Sequence, residues 1–402
     1  MVPRFLTALI LFAFLNLALA RLPLAEIAAL NARDFALTDE AMREGKPASW
    51  WLARLFLSSE KPPDMVVCGS SQIGGLQAAD ANTSGAIIDL TSNRSCITLE
   101  NDLSKRIGIK PAVFLSALPG AMVSDHFVIG RALYQKRAPA VLVLTVSPRD
   151  FIDNTLSAAG ATDSYRYFSQ YNDMTSYTDL AFHEPWSRLT YFVSTELPVR
   201  RLIPTVQKVI SNLSQSEFLP EIKSVAKAPE KIEAVTAADQ LKLVTGGYGG
   251  NLRPGQAVLR PNLPKIYVDN TVDYMHRYSN AYPSSYGVQL KYMKEFLADL
   301  KSRGIKVLVV GMPLTPRNRA LLTNSFWAGF KRKIAERCEQ GDAVYIDLSD
   351  SPDFTAGDFC DTVHLNADGG AKLAQHIADA IAQSNVLRTA LEARLKPVAQ
   401  RL

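Results

Sequence analysis

A short apolar run, DMVVCGSS, occupies residues 64–71 and ends in a glycine and two serines. Its core, MVVC at residues 65–68, lacks the alternation of polar and apolar positions that a half-exposed strand shows. Such a run is typical of a strand buried on both faces, in a parallel sheet covered by helices. Ligands of such sheets bind beyond the carboxyl ends of the strands. Ser70 and Ser71 follow the run directly, so they stand where a functional group is expected.

Four further apolar runs of this kind predict the other strands of one sheet. They occupy residues 112–118, 140–146, 305–310 and 343–348. Helical patterns around them predict helices over residues 122–135, 287–303, 317–338 and 367–383. Strands that alternate with helices predict an α/β fold, a three-layer sandwich around a parallel sheet of about five strands.

A long segment, residues 155–286, interrupts the alternation and far exceeds the usual connection of about 4 to 6 residues. We expect it to form an inserted cap over the strand ends. The α/β domain would then be split into a first part at 25–154 and a second part at 287–384. Aromatic residues near the start of the cap favour a local core over a sugar-stacking surface. They are Tyr165, Tyr167, Phe168, Tyr171 and Tyr177.

The N-terminal residues 1–24 contain an uncharged apolar run, FLTALILFAFLNLALA, at residues 5–20. This run is marginal for a transmembrane helix, which needs about 20 residues, and fits the apolar region of a signal peptide. Residues 18–20 (ALA) match the small-x-small pattern of a cleavage site. A signal peptide and an N-terminal membrane anchor both remain open. Either one predicts an exported protein, periplasmic or anchored to the inner membrane with its globular part outside the cytoplasm.

The C-terminal residues 385–402 form a basic amphipathic tail, with Leu387, Leu391 and Leu395 at helical spacing. We expect a solvated terminal helix, with contact to an anionic membrane surface as the alternative.

The charges are nearly balanced, with 44 Lys and Arg against 39 Asp and Glu and a formal net charge of +5. No run of basic residues concentrates this charge, so nucleic-acid binding has little support, whereas a position near a membrane fits. Four cysteines would allow three disulfide pairings in an oxidising compartment, or could stay free. They are Cys68, Cys96, Cys338 and Cys360. No CxxC or His-x-His pair accompanies them, so neither a metal nor a cofactor is expected.

Two strand ends carry a candidate nucleophile and a candidate base. Ser71 follows the first strand in a Gly-Ser-Ser turn, a pattern that also occurs in ordinary turns and helix caps. After the last strand, Asp361 precedes His364 by three residues at the entrance to a helix. A carboxylate at this spacing can orient one imidazole nitrogen while the other faces a nucleophile from another strand end. Among the five histidines, His364 is therefore the best candidate base.

In their order along the chain, these residues resemble the sequence blocks of the SGNH (GDSL-like) hydrolase superfamily. Residues 69–71 (GSS) match the first block, Gly120 the second, and residues 361–364 (DTVH) the fifth. The third block departs from the usual Gly-x-Asn-Asp, since Arg149 stands in the asparagine position. The nearest amide is that of Asn154.

The resemblance implies a flavodoxin-like sheet and a covalent acyl-enzyme. Ser71 would be the nucleophile, His364 its base and Asp361 the group that orients the imidazole. The backbone N–H groups of Ser71 and Gly120 would bind the oxyanion, with Arg149 or Asn154 as the additional donor. Arg149 could also bind an anionic substrate group, or form a structural ion pair with Asp150 or Asp153.

Within the superfamily, the chain looks most like exported or membrane-anchored bacterial envelope proteins. The features that carry this likeness are the GSS motif at residues 69–71, the SPRDF motif at residues 147–151 and the apolar N-terminus. Examples of such envelope proteins are the D-alanyl transfer protein DltD and proteins of polysaccharide O-acetylation. This likeness implies a serine-dependent esterase or O-acyltransferase that acts on cell-envelope polysaccharide. Its substrate would be an acylated glycan or an acyl donor, and its partner a membrane-bound acyltransferase. The alternative is a non-catalytic accessory protein of the same fold that binds a glycan or such an acyltransferase.

Overall fold

The computed structural model describes residues 2–19, 35–193, 250–279 and 283–395. The predicted cleavage site after Ala20, residues 194–249 of the predicted cap and the end of the tail lie outside the described residues.

Five parallel strands form the central sheet, which confirms the predicted α/β fold. The strands are β1 (Met65–Gly69), β2 (Val113–Ala117), β3 (Val141–Val146), β4 (Lys306–Gly311) and β5 (Val344–Asp347). Their order across the sheet is β2-β1-β3-β4-β5, with every neighbouring pair parallel. This is the order of a flavodoxin-like sandwich. All residues of β1, β2 and β3 are buried, as their continuous apolar runs predict.

Helices cover both faces of the sheet. In the described part of the chain, the helices of eight residues or more are α1 (Val2–Leu19), α2 (Ala48–Ser58), α3 (Gly74–Ser84), α4 (Ile97–Ile107), α5 (Val123–Leu133), α6 (Thr271–Tyr278), α7 (Pro283–Ser302), α8 (Asn324–Gly341), α9 (Ala367–Gln383) and α10 (Asn385–Leu395). Shorter helices are Asp39–Glu44, Arg149–Ile152, Asp163–Ser169, Thr178–Ala181, Pro185–Tyr191 and Pro316–Arg319. One apolar core lies between the sheet and α2, α5, α7 and α8, and a second lies between the sheet and α4, α9 and α10. Among the described helices, none combines the length and the apolar character needed to cross a lipid bilayer.

Helices α3 and α9 pack at backbone distance. A Cβ atom added at Gly370 in α9 would lie 1.9 Å from the carbonyl oxygen of Gly75 in α3. A contact this short between a side chain and a backbone atom forces the helices apart, so only glycine fits at position 370.

We expect Gly370→Ala to lower the free energy of unfolding by about 1–3 kcal/mol or more, because overpacking displaces backbone. Gly329→Ala is the matched control, since Gly329 also lies inside a helix and an added Cβ there would meet nothing within 4 Å. The control should stabilise the protein by up to about 1 kcal/mol through helix propensity. Chemical denaturation measures both changes, and equal stability of the two variants would contradict the tight helix pair.

The tail helix α10 packs on the protein with its apolar side. Leu387 and Leu391 are fully buried in the core that α9 and the sheet share. Arg394 forms an ion pair with Asp64 at 3.5 Å. The expectation of a solvated terminal helix is therefore wrong for α10, and its apolar side is not offered to a membrane.

Two short antiparallel strand pairs join residues 251–259 of the inserted segment to the α/β domain. Residues Lys46–Pro47 pair with Asn251–Leu252, and Ile88–Asp89 pair with Val258–Leu259. Tyr165 and Phe168 are buried in the first apolar core. These two aromatic side chains therefore belong to a core and not to a sugar-stacking surface, as predicted.

All four cysteines are free and buried. Burial raises the pKa of the Cys68 thiol and of the Cys338 thiol to about 12. The thiols thus stay protonated and act as small apolar groups.

Candidate active site

Ser71 lies at the point where the order of the strands reverses. Strand β1 has the later strands on one side and β2 on the other, and ligands bind at such a switch point. Ser71 begins a short 3₁₀ helix, Ser71–Ile73, which runs directly into α3. The turn needs a glycine before it, since a Cβ atom at Gly69 would lie 2.3 Å from the Thr145 hydroxyl. The Ser71 side chain is consequently held beyond the carboxyl end of β1.

His364 reaches Ser71 from the loop between β5 and α9. The Ser71 hydroxyl oxygen lies 2.8 Å from His364 Nε2, and His364 Nδ1 lies 2.6 Å from Asp361 Oδ2. Because a carboxylate only accepts hydrogen bonds, Nδ1 donates to Asp361 and Nε2 is left to accept the Ser71 hydroxyl proton. Asp361 and His364 are almost fully buried, at 3% and 5% exposure. The structure thus brings the three predicted residues into one hydrogen-bonded chain.

Asp361 accepts four hydrogen bonds, which fix both of its oxygens. Oδ1 accepts from the backbone N–H groups of Val363 at 2.8 Å and His364 at 2.7 Å. Oδ2 accepts from His364 Nδ1 and from the side-chain amide of Asn270 at 2.9 Å. The amide oxygen of Asn270 accepts from the backbone N–H of Thr362 at 3.1 Å and from its hydroxyl. Asn270 belongs to the inserted segment, so that segment helps to hold the Asp361 loop.

Helix α6 turns one face towards this site. Asn270 precedes its first residue, and Tyr274 and Arg277 follow at helical spacing on the same side. Tyr274 and Arg277 line the cavity beside Ser71, and Arg277 forms an ion pair of 2.6 Å with Asp153. None of these three residues was predicted from the sequence. The signal that could have found them is the helical spacing of polar and aromatic side chains at positions 270, 274 and 277.

The two predicted oxyanion donors are the backbone N–H groups of Ser71 and Gly120. Gly120 has φ +70°, a left-handed conformation that favours glycine, and both Gly120 and Ser71 line the cavity. Within the part of the chain that the structure describes, neither N–H group donates a hydrogen bond to another protein group. Both donors remain available to a ligand.

Arg149 lines the cavity and forms structural contacts at its wall. Its guanidinium donates to Asp153 at 2.9 Å and to the carbonyl groups of Ala121 at 2.8 Å and Gly120 at 3.0 Å. Burial lowers the pKa of Arg149, but the carboxylates of Asp153 and Asp150 outweigh burial and raise it, so the group remains a cation. Of the roles that the sequence leaves open for Arg149, the structure shows the ion pair with Asp153. Arg149 also donates to the Gly120 carbonyl and so stabilises the Gly120 loop. A role for Arg149 at the oxyanion stays a prediction.

Asn154 is not brought to the site. Its side-chain amide donates to the carbonyl group of Ser279, and its backbone N–H donates to that of Arg277 at 3.1 Å. Asn154 does not line the cavity that contains Ser71 and His364. The amide nearest in sequence to the third block thus lies apart from the reacting groups.

The cavity has a volume of about 830 Å³. The α/β domain contributes Ser71, Gly120 and His364, and the inserted segment contributes Arg166, Tyr167 and Gln170. Of the five aromatic residues singled out in the sequence, Tyr167 is the one that lines this space. The volume is ample for an ester group joined to a sugar-sized alcohol.

A family model described as "Protein of unknown function (DUF1574)" matches residues 112–380 of the chain. The chain belongs to this family. The DUF1574 match begins just before β2 and ends within α9, so it includes Gly120, Asp361 and His364, whereas Ser71 precedes it. A comparison with curated proteins gives no match.

Proposed function

We propose that this protein is a serine-dependent esterase or O-acyltransferase that forms an acyl-enzyme on Ser71. The observation that carries the proposal is the continuous chain from the Ser71 hydroxyl through His364 to Asp361, with contacts of 2.8 and 2.6 Å. A serine, a histidine and a carboxylate with these contacts activate the serine as a nucleophile on many unrelated folds.

In the acylation half-reaction, His364 Nε2 takes the Ser71 proton as the Ser71 oxygen bonds to the carbonyl carbon of the ester. The π electron pair of the carbonyl moves to its oxygen, which the N–H groups of Ser71 and Gly120 stabilise. When this intermediate collapses, the bond to the leaving alcohol breaks and the alcohol takes the proton from His364. Ser71 is left acylated, and His364 is neutral again.

In the second half-reaction, His364 removes a proton from water or from a sugar hydroxyl, which attacks the acyl carbon. Collapse of the second intermediate breaks the bond to the Ser71 oxygen, and this oxygen recovers its proton from His364. Water gives a free acid and makes the protein an esterase. A sugar hydroxyl gives a new ester and makes it an acyltransferase.

Membership of the SGNH hydrolase superfamily is part of the proposal. It is supported by the flavodoxin-like strand order and by the positions of the first, second and fifth sequence blocks at the strand ends. We further propose a DltD-like, envelope-associated role, with export through the N-terminal segment and an envelope polysaccharide as the acylated substrate. The polar groups of Arg166, Tyr167 and Gln170 at the cavity support a hydroxyl-rich ligand. A membrane-bound acyltransferase would deliver the acyl group.

The decisive test is covalent labelling with a fluorophosphonate probe, followed by mass spectrometry of the labelled peptide. We expect one modification, on Ser71, and none in Ser71→Ala. Ser49→Ala is the matched control, since Ser49 lines the same cavity and has no histidine partner among the residues that the structure describes. This control should be labelled like the unchanged protein.

Two results would contradict the proposal. Hydrolysis or transfer of acetyl groups from model esters by Ser71→Ala at the unchanged rate would exclude the Ser71 acyl-enzyme. Absence of both labelling and ester turnover, together with binding of a polysaccharide, would instead favour the non-catalytic accessory function.

The contact of Asn270 with Asp361 leads to a further prediction. A hydrogen bond to a charged group contributes about 1.5–3 kcal/mol, so Asn270→Ala should lower kcat/KM by about 10- to 100-fold. Asn251→Ala is the control, since Asn251 belongs to the inserted segment and lines the cavity without a contact to Asp361 among the described residues, and it should change kcat/KM by less than about twofold. Steady-state kinetics with a model ester measures both. An unchanged kcat/KM in Asn270→Ala would show that the backbone N–H groups alone orient Asp361.

A further inference from the structure

We propose that the hydroxyl group of Tyr274, in the inserted segment, donates a third hydrogen bond to the oxyanion formed at Ser71. This inference rests on the proposed function and assigns to it a catalytic residue that the resemblance does not supply. The Tyr274 hydroxyl would keep its proton throughout, so the O–H bond of Tyr274 does not break. Its contribution is a hydrogen bond that strengthens as negative charge develops on the substrate oxygen.

The first observation is an unpartnered phenol at the cavity. Tyr274 is 6% exposed and lines the cavity together with Ser71 and Gly120. Among the described residues, no group makes a hydrogen bond with its hydroxyl, whereas the hydroxyl of Tyr278, one turn later, donates to Asn318 at 3.2 Å. Because the described part of the protein does not engage this hydroxyl, its O–H is free to donate to an acceptor of a ligand in the cavity.

The second observation is the electrostatic surroundings of the phenol. Burial is the main cause that raises the pKa of Tyr274, and the carboxylate of Asp361 raises it further. The guanidinium groups of Arg149 and Arg277 act in the opposite direction without reversing the shift. Tyr274 therefore stays protonated, and a protonated phenol can donate to an oxyanion.

The third observation is that the ring of Tyr274 is held in place. It packs edge to face against Tyr278, with the ring centroids 5.6 Å apart. The guanidinium carbon of Arg277 lies 5.9 Å from the Tyr274 ring centroid, and Arg277 is itself bound to Asp153. A donor fixed before the reaction stabilises developing charge without the cost of reorientation.

The proposal also accounts for the missing asparagine of the third block. Arg149 stands in that position and donates to Gly120, Ala121 and Asp153, while the amide of Asn154 lies outside the cavity. Arg149 also lines the cavity, and a donor from another element is the alternative to it. Helix α6 supplies one through Tyr274, on the same face that carries Asn270.

The test compares Tyr274→Phe with Tyr278→Phe, each of which removes one hydroxyl from the same aromatic pair. Loss of one oxyanion donor costs about 10²- to 10³-fold, so Tyr274→Phe should lower kcat for a model ester by this factor with KM nearly unchanged. Fluorophosphonate labelling of Ser71 should slow as well, because the phosphoryl oxygen of the adduct occupies the oxyanion position. Tyr278→Phe should lower the thermal midpoint but retain most of kcat.

A Tyr274→Phe variant that keeps more than about a third of the normal kcat would overturn the proposal, since a lost donor costs far more. So would an equal loss of kcat in Tyr278→Phe, because it would indicate disturbed packing of the pair. The variant Ser71→Ala distinguishes failure of the proposed function from failure of the Tyr274 proposal. If that variant keeps its activity, the acyl-enzyme itself is wrong, whatever Tyr274→Phe shows.

Discussion

His364→Ala is expected to lower kcat/KM for a model ester by about 10⁴-fold or more, because the Ser71 hydroxyl then has no base. His364 Nε2 is 2.8 Å from the Ser71 oxygen, which is hydrogen-bond distance for direct proton transfer. The remaining rate would come from the backbone donors and from substrate binding, which do not depend on the imidazole.

The matched control for this variant is His276→Ala on helix α6. His276 is exposed and faces away from the cavity, so its loss should leave kcat/KM unchanged. Added imidazole should restore part of the activity of His364→Ala, since the truncation leaves space beside Ser71. Retention of more than about a tenth of the activity in His364→Ala would exclude its role as the base.

Asp361→Asn is expected to lower kcat by about 10⁴-fold while the fold is retained. The single oxygen of the new amide can still accept from the backbone N–H groups of Val363 and His364. The other position becomes an NH₂ group that faces His364 Nδ1 and the amide of Asn270, which are both donors. His364 then holds its proton on Nε2, and Nε2 can no longer accept the proton of Ser71.

This loss is measured by steady-state kinetics, with circular dichroism and the thermal midpoint as checks on folding. Asp368→Asn is the control, because Asp368 is a surface carboxylate that pairs with Lys265. Residues that act as one unit are not additive, so the double variant Asp361→Asn, His364→Ala should be no slower than His364→Ala alone. Full activity in Asp361→Asn would show that Asp361 does not set the proton position on His364.

The strands could be predicted from the sequence to within about one residue, because continuous apolar runs have few alternative structures. The predicted helix at 317–338 was less accurate. The chain forms the short helix Pro316–Arg319 and then α8, Asn324–Gly341, because the hydroxyl of Thr323 caps the backbone N–H of Phe326. Helix α3 was not predicted at all, since its two glycines and polar residues give no apolar stripe. Its position is set by contact with α9.

The candidate site was predictable where its signals are local. Asp361 and His364 are three residues apart, and Ser71 and His364 each follow a predicted strand, so their meeting follows from the parallel sheet. Asn270 and Tyr274 lie in a segment without strand signals, and Asn270 meets Asp361 across 91 positions of sequence. Such a contact depends on how the inserted segment packs against the α/β domain. The spacing of residues along the sequence does not predict this packing.

The glycine contact between α3 and α9 also bears on the proposed reaction. Helix α3 begins three residues after Ser71, and α9 begins three residues after His364. Gly75 and Gly370, where the two helices touch, lie in their first turns. This backbone contact therefore helps to fix the distance between Ser71 and His364, although 293 positions lie between them in the sequence. In the proposed reaction, a larger residue at either glycine would lengthen the path of the proton from Ser71 to His364.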